Sequence, residues 1–236
     1  MNEADDAVIL NWESRRARML SMLRRFWRLL FRPSEAMRDI AAAPDLGVVL
    51  VIMIAQGALW VLSSVEMFLK LEFVGGFAGE MGSLATFLAA AVLSFPMPVM
   101  LGIKWAAKSV LVKYGLASGG VWDFSIAASV TGYAYVADVV MMASNLVGAW
   151  FLIPSRVIEV GSQERAMGVI AWWQAGTRSL RLTTLLPITI FCLVWKGYLG
   201  GLGAHFGTEK HCSILKGTVL FTLLGVLSFW LGFSTA

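Results

Sequence analysis

Two charged residues sit where a hydrocarbon environment makes them expensive, and they carry opposite signs. Asp138 falls inside a long apolar run, about thirteen residues from either end. Lys196 lies inside a later apolar run that approaches from the opposite direction. An ionisable side chain at bilayer depth costs about 2.5–3.5 kcal/mol on insertion scales, so each such residue requires a partner or a task. An Asp138–Lys196 pair neutralises both, and Asn145, Gln56, Tyr133 and Tyr135 are expected to supply hydrogen bonds around it. Such a pair has two readings: a buried contact that fixes helix packing, or a proton or ion site. Pro96 and Pro98 bear on the second, because a broken helix frees backbone carbonyls that can line a cavity.

The remaining residues of chemical interest are sparse. His205, Glu209, His211 and Cys212 cluster in one loop, but their spacing matches no common metal site and a solvated loop is the expected reading. The chain has two histidines, and no phosphate-binding glycine–lysine loop, zinc-protease helix motif or nucleophile elbow. We therefore expect no enzyme activity and no cofactor. Cys192 and Cys212 make no disulfide framework. Lys104 and Lys108, near one end of an apolar run, are expected to snorkel to the interface, and Glu66, one turn from a helix end, has a similar exit.

The elements that hold these residues are apolar helices. Of 236 residues, 58% are hydrophobic and 14% charged, and the mean hydropathy is +0.74. Soluble domains run at about 45–50% and about 25%. Runs near 46–69, 84–112, 124–153, 182–205 and 213–233 are each long enough for about 20 apolar residues. The expected fold is all-α, a transmembrane bundle of about five spans over 44–236 preceded by an arm over 1–43. Connections between spans are short except for a loop expected over 155–181. The start shows no signal peptide, so the first span is expected to serve as targeting signal.

Fourteen of the 19 Lys and Arg fall on the side that holds the N-terminal arm. The positive-inside rule then places the N-terminus in the cytoplasm and the C-terminus outside, in a cell membrane or in the ER or Golgi according to host. Within the arm, residues 17–32 place Phe26, Trp27 and several Leu on one wide arc. Arg18, Arg24, Arg25, Arg28 and Arg32 fill the other. An interfacial helix lying on anionic lipid is the first reading, and packing on the bundle or on a partner helix the second. A net charge of +4 and a broad aromatic face argue against nucleic acid. Gly197/Gly201 and Gly203/Gly207, each spaced by four, mark close helix approach, within the bundle or between copies.

The order of these features resembles the Yip family of five-span membrane proteins, over about residues 25–233. The resemblance is carried by Arg32-Pro33-Ser34-Glu35-Ala36-Met37, by Tyr114-Gly115, and by Gly119-Gly120-Val121-Trp122-Asp123-Phe124. It continues through Tyr133-Ala134-Tyr135 and Trp195, Gly197, Leu202, His205, Gly207 and Thr208. Asp138 stands near where the family commonly has a proline, and the acidic-glycine-proline segment of eukaryotic members is missing, so the chain looks more like the prokaryotic members. The basic arm, the packing glycines and the absence of catalytic residues lead to the expected role, a non-enzymatic scaffold within a complex or homo-oligomer, and the resemblance adds membrane trafficking. A small GTPase partner is implied by the family alone. The alternative from a different class is a small ion- or proton-coupled transporter using Asp138 and Lys196.

Overall fold

A computed structural model of the protein describes residues 24–74, 97–116, 122–159 and 163–234. Arg18 and Pro96, and the first half of the expected second span, lie outside these residues.

The described chain is helical apart from one short two-stranded ladder. A helix over 24–31 (α1) meets α2 (Pro33–Ala42) at Arg32, where Pro33 occupies the first helical turn and forces a new start. Asp45 then caps α3 (Leu46–Leu69) by accepting a hydrogen bond from the Gly47 amide. The strand β1 (Leu71–Val74) follows, and after it α4 (Met97–Gly115). Asp123 caps α5 (Phe124–Ala134) through the Ile126 amide, and α6 (Val136–Leu152) continues from it across Tyr135. The chain ends with β2 (Arg156–Glu159), α7 (Gln163–Leu182), α8 (Leu186–Gly207) and α9 (Ile214–Ser234).

Among the described residues, three stretches are long and apolar enough to cross a membrane: Leu46–Leu69, Phe124–Leu152 and Leu186–Gly207. Their outward surfaces remain apolar, with Leu50, Ile54, Phe151, Phe191 and Val194 more than half exposed. In water such a surface would aggregate; against acyl chains it is at its preferred boundary.

α5 is the central element, with every side chain from Ile126 to Ala134 buried. α3 runs parallel to the α5–α6 rod, since Val49 meets Gly132 and Gln56 meets the Tyr135 carbonyl. α8 runs antiparallel to the rod: Gly207 lies on Ile126, Gly203 on Val130, and Lys196 reaches Asp138. Because α3 and α6 leave the bundle side by side in the same direction, their extended continuations pair as a parallel ladder, Leu71 opposite Arg156 through Val74 opposite Glu159. Pro154 stops α6 and permits that extended exit.

The glycines of α8 are packing surfaces inside the chain. A Cβ on Gly201 would lie 2.6 Å from the Ile214 carbonyl and 2.7 Å from the Thr218 amide of α9, and one on Gly197 would strike the Thr222 hydroxyl. Gly203 and Gly207 face Val130 and Trp122. These four positions are therefore filled by neighbouring helices of the same chain rather than presented to a second copy.

One expectation needs correction. The segment 155–181 is not a plain loop: α7 occupies most of it and packs Trp173 and Leu180 against Ala149 and Ile153. The run 124–153 is long and apolar enough to span, as expected, and within it the Tyr135 amide (ψ −8°) bonds back to Gly132, a tighter turn that joins α5 to α6.

Candidate functional site: a charged cluster at mid-bundle

Asp138 sits at the midpoint of the Phe124–Leu152 rod and Lys196 close to the midpoint of α8. The ammonium of Lys196 donates directly to Asp138 Oδ2. The two side chains are 6% and 19% exposed, so the contact is shielded from any bulk phase. Removing two charges from water is offset only when their geometry is good and further groups satisfy them.

Of the four groups expected around the pair, Tyr135 meets it, through its ring rather than through a hydrogen bond. The Tyr135 ring lies under both amines, its centroid 4.2 Å from Lys196 Nζ and 5.0 Å from Lys108 Nζ. Each ammonium therefore faces the negative face of one aromatic ring. Gln56 does not touch the pair; its Nε2 donates to the Tyr135 backbone carbonyl (3.2 Å) and so holds the tight turn that aims the ring. Tyr133 is directed elsewhere, toward Arg25. Asn145, two turns beyond Asp138, keeps its Oδ1 buried without a hydrogen bond and does not join the cluster.

Lys108 is the residue that the sequence reading misplaced. Distance from the helix end alone makes it a snorkelling lysine, yet its ammonium turns inward over Tyr135. With Lys196, Thr131, Phe221 and Gly225 it lines a cavity of about 10 Å³, the space of roughly one water molecule. Lys104 faces outward as expected. The cluster thus places two cationic side chains beside one carboxyl group, next to a tightened helical turn.

The loop between α8 and α9 shows no metal geometry, and no group of metal ligands occurs among the described residues. His205 Nδ1 lies 2.8 Å from the Cys212 carbonyl, the Thr208 hydroxyl accepts from the Cys212 amide, and His211 is exposed. Burial pushes the Cys212 thiol above its ordinary range. Glu209 and Lys210 adopt positive φ (51° and 71°), forming the turn that reverses the chain.

At the same end of the bundle, α1 and α2 form a shelf. Arg28 bonds Asp39 at 2.8 Å, Arg32 lies 3.6 Å from Glu35, and Arg25 donates to the Ala43 carbonyl and approaches Asp45. The expectation that these arginines all project toward headgroups is corrected: three of them tie α1 to its own chain, while Arg24 is exposed. Leu29 is fully buried and anchors α1 in the core. The Trp27 and Phe31 rings pack at a tilt of 46°, 4.8 Å between centroids, and stay 64% and 66% exposed.

Protein-family models, curated proteins and solved structures were compared with the chain, and none matches it.

Proposed function

We propose that this protein is a non-enzymatic, five-span, Yip-like membrane protein that organises partner proteins or the bilayer surface through its N-terminal shelf. The single observation that carries this reading is the exposed Trp27–Phe31 pair. It stands on a helix whose opposite side is fixed to the bundle by Leu29, Arg25 and Arg28. A rigid aromatic edge held beside basic residues is a surface for recognition at an interface, where Trp and Phe gain most and charges remain wet. α4 and α9 are taken as the additional spans, because α9 returns antiparallel along α8 and α4 packs on α3 and α5. The shelf side, which also holds Lys113, Lys210 and Lys216, is assigned to the cytoplasm.

The test is photocrosslinking in native membranes with a probe at Trp27 or Phe31, compared with probes at lipid-facing Leu223 and Val194. The reading requires one discrete adduct from the shelf positions that the control positions do not give. Smears or identical patterns from all four positions defeat it.

A second reading, proton- or ion-coupled transport, is favoured by one specific observation: Lys108 and Lys196 line one small cavity, and Lys196 is paired with Asp138 beside the Tyr135 turn. Its test is a protonation-dependent flux in liposomes that Asp138→Asn abolishes while leaving the protein folded.

A further inference from the structure

On the opposite side of the bundle from the shelf, a groove of about 330 Å³ runs between α3 and α6. Its walls are Leu62, Leu69, Val147, Trp150 and Phe151, all at least 40% exposed, and nearly all of its surface is apolar. The exception is Glu66. That side chain lines the groove, is only 3% exposed, and neither of its carboxylate oxygens has a hydrogen-bond partner. A buried carboxylate with no donor is costly, so its position in an open groove needs a complement.

The nearest cation does not supply one. Lys70 Nζ donates to the Trp150 and Ile153 carbonyls, at 2.5 and 2.7 Å, and lies over the Trp150 ring. It closes the end of α6 instead. Glu66 itself lies one turn from the end of α3, level with the Trp150 and Lys70 pair. Aromatic and lysine side chains at a helix end mark the depth where headgroups meet acyl chains.

We propose that this groove binds one phospholipid bearing a primary ammonium headgroup, its acyl chain against Val147 and Phe151 and its ammonium donating to the Glu66 carboxylate. Charge complementarity selects the headgroup, and the exposed apolar wall selects the chain. A volume near 330 Å³ lies at the lower end of ligand pockets, which suits a chain segment better than a folded partner. The site is independent of the shelf and of the Asp138 cluster.

The experiment is native mass spectrometry of the full chain in mild detergent. It is titrated separately with ethanolamine, choline and glycerol phospholipids carrying the same acyl chains. The expected result is a single retained lipid, with ethanolamine preferred over choline by about tenfold, the scale of a lost hydrogen bond to a charged group. Glu66→Gln should erase that preference, and Val147→Trp, which fills the groove and leaves Glu66 intact, should remove the adduct for every headgroup. Equal retention of the three lipids, or an adduct unchanged by both variants, overturns the proposal. So does a second protein chain crosslinked at Val147 in place of lipid.

Discussion

Replacing Asp138 with asparagine keeps the size of the side chain and removes its charge, leaving Lys196 buried beside a neutral amide and Lys108 nearby. The magnitude follows from the geometry. Two opposite charges about 4 Å apart in a medium of effective dielectric about 20 attract by about 4 kcal/mol, and Lys196 is only 5% exposed, so water cannot replace the lost partner. Breaking a buried pair from one side costs about 3–5 kcal/mol, whereas replacing both members with apolar residues is often neutral or stabilising. Asp138→Asn should therefore destabilise by about 3–5 kcal/mol, and the double variant Asp138→Leu/Lys196→Met should return to within about 1 kcal/mol of the parent. Adding Lys108→Met to Asp138→Asn should recover part of the loss, because it removes the second ammonium from the same ring. The assay is reversible unfolding in mixed detergent micelles followed by tryptophan fluorescence, with Asp138→Leu and Lys196→Met measured singly and together as a double-mutant cycle. If each single change costs under about 1 kcal/mol and the two add to within about 0.5 kcal/mol, the pair is not coupled and the reasoning is wrong.

Three further outcomes follow from the structure. Gly201→Leu should destabilise by at least about 3 kcal/mol in the same unfolding assay, beyond the usual range for an overpacked side chain. Its neighbours are backbone atoms of α9 that cannot rotate away, and a change under about 1 kcal/mol would deny the close approach. In a Cys192→Ser background, Cys212 should resist maleimide at neutral pH until the protein unfolds. Because burial raises its pKa, the folded state holds the thiol proton longer than the unfolded chain does. The group thus costs no stability below an ordinary thiol pKa of about 8.5 and destabilises progressively above it; rapid labelling of folded protein would contradict this. Asp39→Ala should cost little in global stability, about 0.2–1 kcal/mol for an exposed pair, yet increase proteolysis at the α1–α2 junction. Unchanged cleavage would show that Leu29 alone holds the shelf.

The Asp138–Lys196 contact was legible in the sequence, because two opposite charges at matching depth in antiparallel apolar runs have few other ways to be neutralised. The role of Lys108 was not, since depth says nothing about azimuth. Ser109 and Val112 on the same helix, with Leu116 just after it, are buried and lie on the side of α4 that faces inward. α7 was missed because its mean polarity resembles a loop, although Val169, Trp173, Gly176 and Leu180 follow helical spacing along one packed stripe. The tight turn at Tyr135 has no proline or glycine at its centre, and its support comes from Gln56, 79 residues earlier. The parallel ladder likewise depends on where two distant helices end, which no local pattern encodes. The packing role of Gly197 and Gly201 was readable, but their partner was not: a small-residue face fits a neighbouring helix and a second copy equally well until α9 is placed against it.

The measurement that tests the central claim most directly is photocrosslinking from Trp27 and Phe31 in native membranes, with native mass determination of the purified product. A discrete, stoichiometric adduct is expected from the shelf, weakened when the member of the Trp27–Phe31 pair that does not carry the probe is changed to serine. A protein that purifies as a bare monomer, gives no shelf-specific adduct and conducts protons in liposomes until Asp138 is neutralised would contradict it.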